Sequence, residues 1–427
     1  MLLSKVKIAV LLLMVWLAGV ACTPQTAVSL PTRIPLAAIP TQTSFSPTPG
    51  PNLVPSTWTP APTAASSTNG ENFTIIGTLA PSPTPSNTPI FPTSTPRPTR
   101  TPTPTPTFIA TPTRYQSYIP NLPPSTDLGP SKLGIHIIRA NDQRILDFIR
   151  IAQPPVIKAL DNFGYLDEVK QMSPHTLIVG RINTISQNYS STPEEAARDF
   201  VNEQLNQYLA NPAVDYWEGW NEPDPGLERM GWYTRFEQER VRLLAQHGLK
   251  AAVGGFATGV PEMDEFALFL PAIATAKEYQ GILSLHEYGA PDMTYLYGSA
   301  LPGYPAYPDR GALTFRYRWY YEEFLIPNDL VIPLAITEAG IDGIIGNRPG
   351  PDGYGWQDFQ GYWVEQGWAD NGVQAFINQL AWYDAGVRQD GYVIGFTVFT
   401  AGGHGHWLNY DINDILPQLT AYVVGQR

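Results

Sequence analysis

The chain has 427 residues and a formal net charge of −12, with a pI near 5.0. That balance excludes a nucleic-acid partner, because nothing offers the basic stripe that neutralises phosphates. Its 43 prolines are too many for one globular body, and most fall before residue 125, so the length overstates the folded part.

Lys5 and Lys7 precede an apolar run, 8–20, that is short for a bilayer span and suits the hydrophobic part of an export signal. It closes on Leu17-Ala18-Gly19-Val20-Ala21-Cys22, which holds the one cysteine of the sequence. This looks like a bacterial lipoprotein processing site, which implies that residues 1–22 are a signal peptide, that Cys22 is lipidated, and that the protein is exported and membrane-anchored. Gly19 departs from that pattern, which prefers leucine there, and plain secretion is the alternative. A single thiol excludes an intrachain disulfide.

Residues 23–125 are dominated by Thr, Pro and Ser, with a Thr-Pro alternation from Thr101 to Thr107. Such a composition cannot bury enough apolar surface to offset the entropy of ordering, and its prolines favour an extended form. We read it as a disordered stalk.

From 126 to 427 the texture changes to short apolar runs alternating with helix-like segments, the rhythm of repeated βα units. Eight runs stand out: 133–138, 155–160, 176–182, 214–221, 250–256, 282–288, 331–338 and 392–400. Between them lie helical patterns at 193–210, 232–247, 262–279, 315–324 and 371–385. Eight strands predict an α/β fold, a (β/α)₈ TIM barrel with some long loops. An open doubly wound sheet is the alternative, but no Gly-rich phosphate turn follows the first run, and no cofactor is expected.

In such a barrel the reacting groups come from strand ends. The fourth run leads into Trp220-Asn221-Glu222-Pro223, and the seventh into Ile336-Thr337-Glu338. Glycosidic cleavage needs one protonated carboxyl beside the leaving oxygen and one ionised carboxylate facing the anomeric carbon, and Glu222 and Glu338 are the pair that strand ends supply. Glu218, deeper in the fourth run, reads as a buried structural carboxylate, or as the rival acid under another register. Glu287 falls on the opposite face of the sixth run from His286 and Tyr288.

In these two glutamates, ending the fourth and seventh strands, the chain resembles the clan A glycoside hydrolases. The resemblance implies a retaining glycosidase in which Glu222 is the general acid/base and Glu338 the nucleophile. It further implies that Asn221 holds a sugar hydroxyl, that His286 and Tyr288 face the site with the Tyr288 hydroxyl on Glu338, and that Trp407 floors the sugar subsite. Arg181 and Asn183 close the third run as possible substrate donors, an ion pair towards a helix being the competing reading of Arg181. His404 and His406 would serve instead in a metal hydrolase, although a two-residue His spacing is a weak ligand signal. The loops 289–309 and 341–356, the second carrying Asp342, Tyr354 and Trp356, are expected to build a substrate cleft. The partner expected is a carbohydrate, and the rival from another class is a non-catalytic carbohydrate-binding surface protein on a barrel scaffold.

Overall fold

A computed structural model of the chain describes residues 119, 120, 122, 128–184 and 186–427. The signal segment, Cys22 and nearly all of the stalk lie outside the described residues. Among the described residues no helix is long and apolar enough to cross a membrane.

Eight parallel strands close into a barrel in sequence order: β1 (Leu133–Ile137), β2 (Val156–Leu160), β3 (Leu177–Arg181), β4 (Tyr216–Glu218), β5 (Ala251–Phe256), β6 (Ile282–Gly289), β7 (Leu334–Ile341) and β8 (Val393–Ala401). Each of the eight apolar runs is a strand, and the open-sheet alternative is excluded. The helices are α1 (Gln143–Ala152), α2 (Leu166–Met172), α3 (Pro193–Ala210), α4 (Gly226–Gln246), α5 (Met263–Glu278), α6 (Tyr317–Tyr320), α7 (Trp356–Glu365), α8 (Gly372–Val387) and α9 (Leu416–Val424). The start of α3 shows why such boundaries are legible: Thr192 and Glu195 form a reciprocal capping box, and Pro193 at the first position lacks the N–H that would otherwise be orphaned.

The barrel interior is layered. Val156, Val179, Ala252, Ile282 and Ala335 form an apolar floor. Above it the inward positions turn polar: Lys158, Glu218, Ser284 and Thr337 are all buried. At the C-terminal end stand His136, Arg181, His286, Tyr288 and Glu338. Alternation along β6 sends Ser284, His286 and Tyr288 inward and Glu287 outward, as the sequence predicts. Glu287 there accepts the N–H of Phe315 at 2.6 Å, that of Tyr317 at 2.9 Å and the Tyr383 hydroxyl at 2.6 Å. Burial nonetheless pushes its carboxyl up to about 7. It ties the segment entering α6 to the barrel wall.

Two local departures from regular pairing position the site. The pairing of β7 shifts against β8 between Ile336 and Ala339, and β6 shifts against β7 between Leu285 and His286. The bulge turns consecutive residues, Thr337 and Glu338, both into the barrel, which strict alternation forbids. At β5, Gly254 and Gly255 adopt φ of 101° and 62°. That bend carries the Gly255 carbonyl to the Glu222 N–H, 2.9 Å away. A Cβ on Gly255 would meet the Trp220 carbonyl at 3.0 Å in a backbone conformation that strains any L side chain.

Beneath β4 and β5, Arg240 of α4 pairs with Glu237 at 2.7 Å and donates to the carbonyls of Trp217 and Ala252 at 3.0 and 2.7 Å. The fully buried pair is thus hydrogen-bonded as well as charge-matched, which a charge in the interior requires.

Candidate active site

β4 is shorter than the sequence suggests, because the ladder ends at Glu218. Trp220 therefore leaves the inner face and packs outward on α4, its ring 4.4 Å from Phe236 and 5.8 Å from Tyr233. Strict alternation would put Trp220 on the face of Glu218 and Glu222, and the early end of the ladder breaks that pattern. Glu222 reaches the barrel mouth from the following loop, with φ of 47°, a left-handed conformation that costs a non-glycine residue energy and is held by the Gly255 contact.

Glu338 lies inside β7, since that strand runs on to Ile341. The residue is 5% exposed, and its carboxylate is surrounded by donors. Oε1 meets the Lys158 ammonium at 2.9 Å and Arg181 at 3.3 Å. Oε2 accepts the Tyr288 hydroxyl at 2.8 Å and lies 3.5 Å from His286 Nδ1. Burial alone would raise its pKa, but His286, Lys158 and Arg181 together hold the carboxyl well below its ordinary value. Glu338 is therefore ionised.

Lys158 went unnoticed in the sequence. Wholly buried on β2, it bridges Glu338 to Glu218, whose Oε2 lies 2.8 Å from Nζ. Glu218 also accepts hydroxyls from Ser284 and Thr337. Burial opposes its ionisation, but Lys158, Arg181 and His286 bring its pKa down to about 2. Held ionised by these cations and remote from solvent at 1% exposure, it does not serve as the acid.

Glu222 differs in every respect that matters for proton transfer. Its side chain is 37% exposed, and His286 Nδ1 lies 2.8 Å from Oε1. The other ring nitrogen of His286 faces the Lys158 ammonium at 3.5 Å. An ammonium can only donate, so in the neutral ring Nε2 accepts from it, and Nδ1–H is the donor to Glu222 whether the ring is neutral or protonated. One oxygen of Glu222, one of Glu338 and a His286 nitrogen all lie within 4.8 Å of one another. Such a triplet has the makings of a metal site, but a dication there would face Lys158 and Arg181, both already on Glu338. His404 and His406 are exposed and stand outside that group.

The remaining residues fall around this centre. Arg181 does not point at a helix; it binds Glu338 and the Asn221 amide oxygen, and is 6% exposed. Asn183 is exposed, its N–H donated to Asp161 at 2.7 Å. Trp407 sits beyond β8, 39% exposed, edge-on to Phe399 at 5.2 Å. Phe399, which sequence reasoning passed over as a strand residue, joins Ile138, Tyr288 and Tyr410 in an apolar rim and stacks on His136 at 4.8 Å.

The two long loops divide. In the second, Asp342 accepts the Tyr410 hydroxyl at 2.8 Å, and burial, with the neighbouring Glu222 and Glu338 charges adding, pushes its pKa up to about 6. Tyr354 is exposed, whereas Trp356 opens α7 and is buried against Phe376, 4.9 Å away, as core. The first loop folds over the helical layer instead of the mouth: Tyr297 packs on Phe315 and Trp382, and Tyr304 and Tyr307 on Trp319.

No family model matches the chain, and no curated protein does. Among solved structures it is similar to a glucosidase from Croceicoccus marinus, at 16% identity and TM-score 0.38, over 68% of this chain and 63% of that one, less than two thirds of its length. A GH5 xyloglucan-specific endo-β-1,4-glucanase from a metagenomic library, in complex with cellotriose, aligns at 14% identity and TM-score 0.36 over 68% of this chain and 88% of its own. An endo-β-1,4-mannanase from Thermotoga petrophila aligns at 11% identity and TM-score 0.39 over 71% and 78%.

Proposed function

We propose that the barrel is a retaining glycoside hydrolase acting on an extracellular poly- or oligosaccharide through a covalent glycosyl-enzyme. The observation that carries this reading is the approach of Glu222 and Glu338, whose oxygens lie within 4.8 Å. That separation leaves no room for an intervening water and matches the roughly 5 to 5.5 Å of double-displacement enzymes, not the wider gap of inverting ones.

In the first step an oxygen of Glu338 bonds to the anomeric carbon while the bond to the leaving oxygen breaks, and Glu222 gives that oxygen its proton. In the second, Glu222 takes a proton from water, the water oxygen attacks the same carbon, and Glu338 leaves as carboxylate. The partial exposure of Glu222 lets it exchange protons with incoming water. Asn221, held by Arg181, presents its amide nitrogen to a sugar hydroxyl, and Trp407 offers a half-exposed face to a sugar ring. In this reading residues 1–22 direct export, and lipid on Cys22 tethers the enzyme at the cell surface through the stalk.

Two substitutions test the assignments on whichever aryl glycoside or polysaccharide the chain cleaves. Glu222→Gln is expected to lower kcat/KM on a substrate with a poor leaving group by roughly 10²–10⁴-fold, and on a 2,4-dinitrophenyl glycoside far less, because kcat/KM reads the first step and that leaving group needs no proton. Equal losses on both would remove Glu222 from the acid role. Tyr288→Phe strips one donor from Glu338 Oε2 and is expected to lower kcat by roughly 10- to 10²-fold with KM nearly constant. A change in KM alone would show that the hydroxyl serves substrate binding. A mechanism-based inactivator that esterifies Glu338, located by peptide mass, tests the whole scheme, and no labelling by any sugar would favour a binding protein.

A further inference from the structure

Glu218 takes no part in either chemical step, yet it shares its cations with the nucleophile. Lys158 Nζ lies 2.8 Å from Glu218 and 2.9 Å from Glu338, and Arg181 lies 3.9 and 3.3 Å from the same two carboxylates. Two anions and two cations make a neutral buried quartet. The other groups facing Glu338 are His136 from β1, Glu222 from the loop after β4, His286 and Tyr288 from β6, and Asp342 beyond it on its own chain. Burial keeps His136 neutral, so it adds no charge.

We propose that Glu218 is a positioning residue whose fixed charge compensates Lys158 and Arg181 when Glu338 loses its own charge on becoming a glycosyl ester. The inference rests on the glycosidase reading. When an oxygen of Glu338 bonds to the anomeric carbon, the leaving oxygen departs with the bonding electron pair and takes the proton of Glu222. The carboxylate thereby becomes a neutral ester. Two buried cations remain, and an uncompensated charge in the interior is costly. With Glu218 in place the quartet passes from neutral to one excess positive charge; without it, from one to two. Ester formation is disfavoured in the second case, and ester hydrolysis, which restores the anion, is favoured. The hydroxyls of Ser284 and Thr337 serve this role by fixing the Glu218 carboxylate against Lys158 instead of leaving it to follow solvent.

The test has one arm that needs no substrate. Glu338→Gln mimics the charge of the ester, so in urea unfolding of the full chain Glu218→Gln is expected to cost more in the Glu338→Gln background than in the native one. Strictly additive costs would overturn the proposal. If Glu218→Gln alone does not fold, Lys158→Met/Glu218→Gln, which removes one charge of each sign, is expected to fold; failure of both would mean the position needs a carboxylate for packing, and the proposal falls. In the second arm, rapid mixing with 2,4-dinitrophenyl glycosides is expected to show Glu218→Gln forming the ester on the order of 10²-fold more slowly and hydrolysing it faster. An unchanged ratio of the two rates in the folded variant would also overturn it. If the native chain turns over none of these glycosides, the glycosidase reading has failed, and the stability cycle still decides the charge coupling.

Discussion

Glu338→Gly is expected to lose about 10⁵-fold or more in turnover of an aryl glycoside, and added azide is expected to restore product as a glycosyl azide of inverted configuration. The residue removed is the one that must attack the anomeric carbon, so its loss blocks the first step whatever the leaving group. The space left beside Lys158 and Arg181 suits a small anion, since both cations then lack the carboxylate they hold in the native chain. Azide entering there meets the sugar from the face Glu338 occupied and displaces the leaving group once, which inverts the centre. Glu222→Gly should respond in the opposite sense. Its glycosyl-enzyme still forms from an activated glycoside, azide attacks from the Glu222 side, and two displacements give net retention. An inverted product from Glu222→Gly, with a retained one from Glu338→Gly, would exchange the two roles. The electrostatics argue against that exchange: three neighbours keep Glu338 ionised against the pull of burial, so the acid limb of kcat/KM is not set by a neutral-range titration of this group.

Much of this centre was legible in the sequence, for identifiable reasons. Each strand of a parallel barrel is covered on both faces, so its residues form a compact apolar run, and eight such runs could be counted without coordinates. Glu222 and Glu338 stood out because a carboxylate at the end of such a run has no solvent to explain it. Lys158 carried the same signal two strands before Glu222, a charged residue inside Val156–Leu160, but in mid-run instead of at its end. The bulge at Thr337 and Glu338 left no mark, since it depends on how β7 meets both neighbours. Nor did the outward turn of Trp220 or the folding of the first long loop onto Trp319 and Trp382. Aromatic residues suit a sugar platform and a helix-layer core equally well, and only their packing distinguishes the two.

Lys158→Met is expected to destabilise the barrel by about 3 to 5 kcal/mol at neutral pH and to reverse the pH dependence of stability in the acid range. Methionine fills nearly the same volume, so the loss reports charge and not packing. In the native chain the Glu218 pKa is depressed to about 2, against roughly 4.3 when unfolded. Its contribution to stability is therefore fully present above the unfolded value and is lost as pH falls from there towards 2. In the variant, Arg181, 3.9 Å from Glu218, and His286 have to offset the burial of two carboxylates without the ammonium that touches both. With desolvation less opposed, at least one folded pKa rises above its unfolded value. The sign then inverts: the variant is most stable where that carboxyl is protonated and weakens as pH climbs through the raised pKa. Urea unfolding of both proteins from about pH 3 to pH 7 should show the native chain losing stability as pH falls below about 4, and the variant losing it as pH climbs towards 7. Parallel profiles would mean that Lys158 does not set the ionisation of the pair. The buried quartet would then be a packing feature, and the ionised state of the nucleophile would need another source.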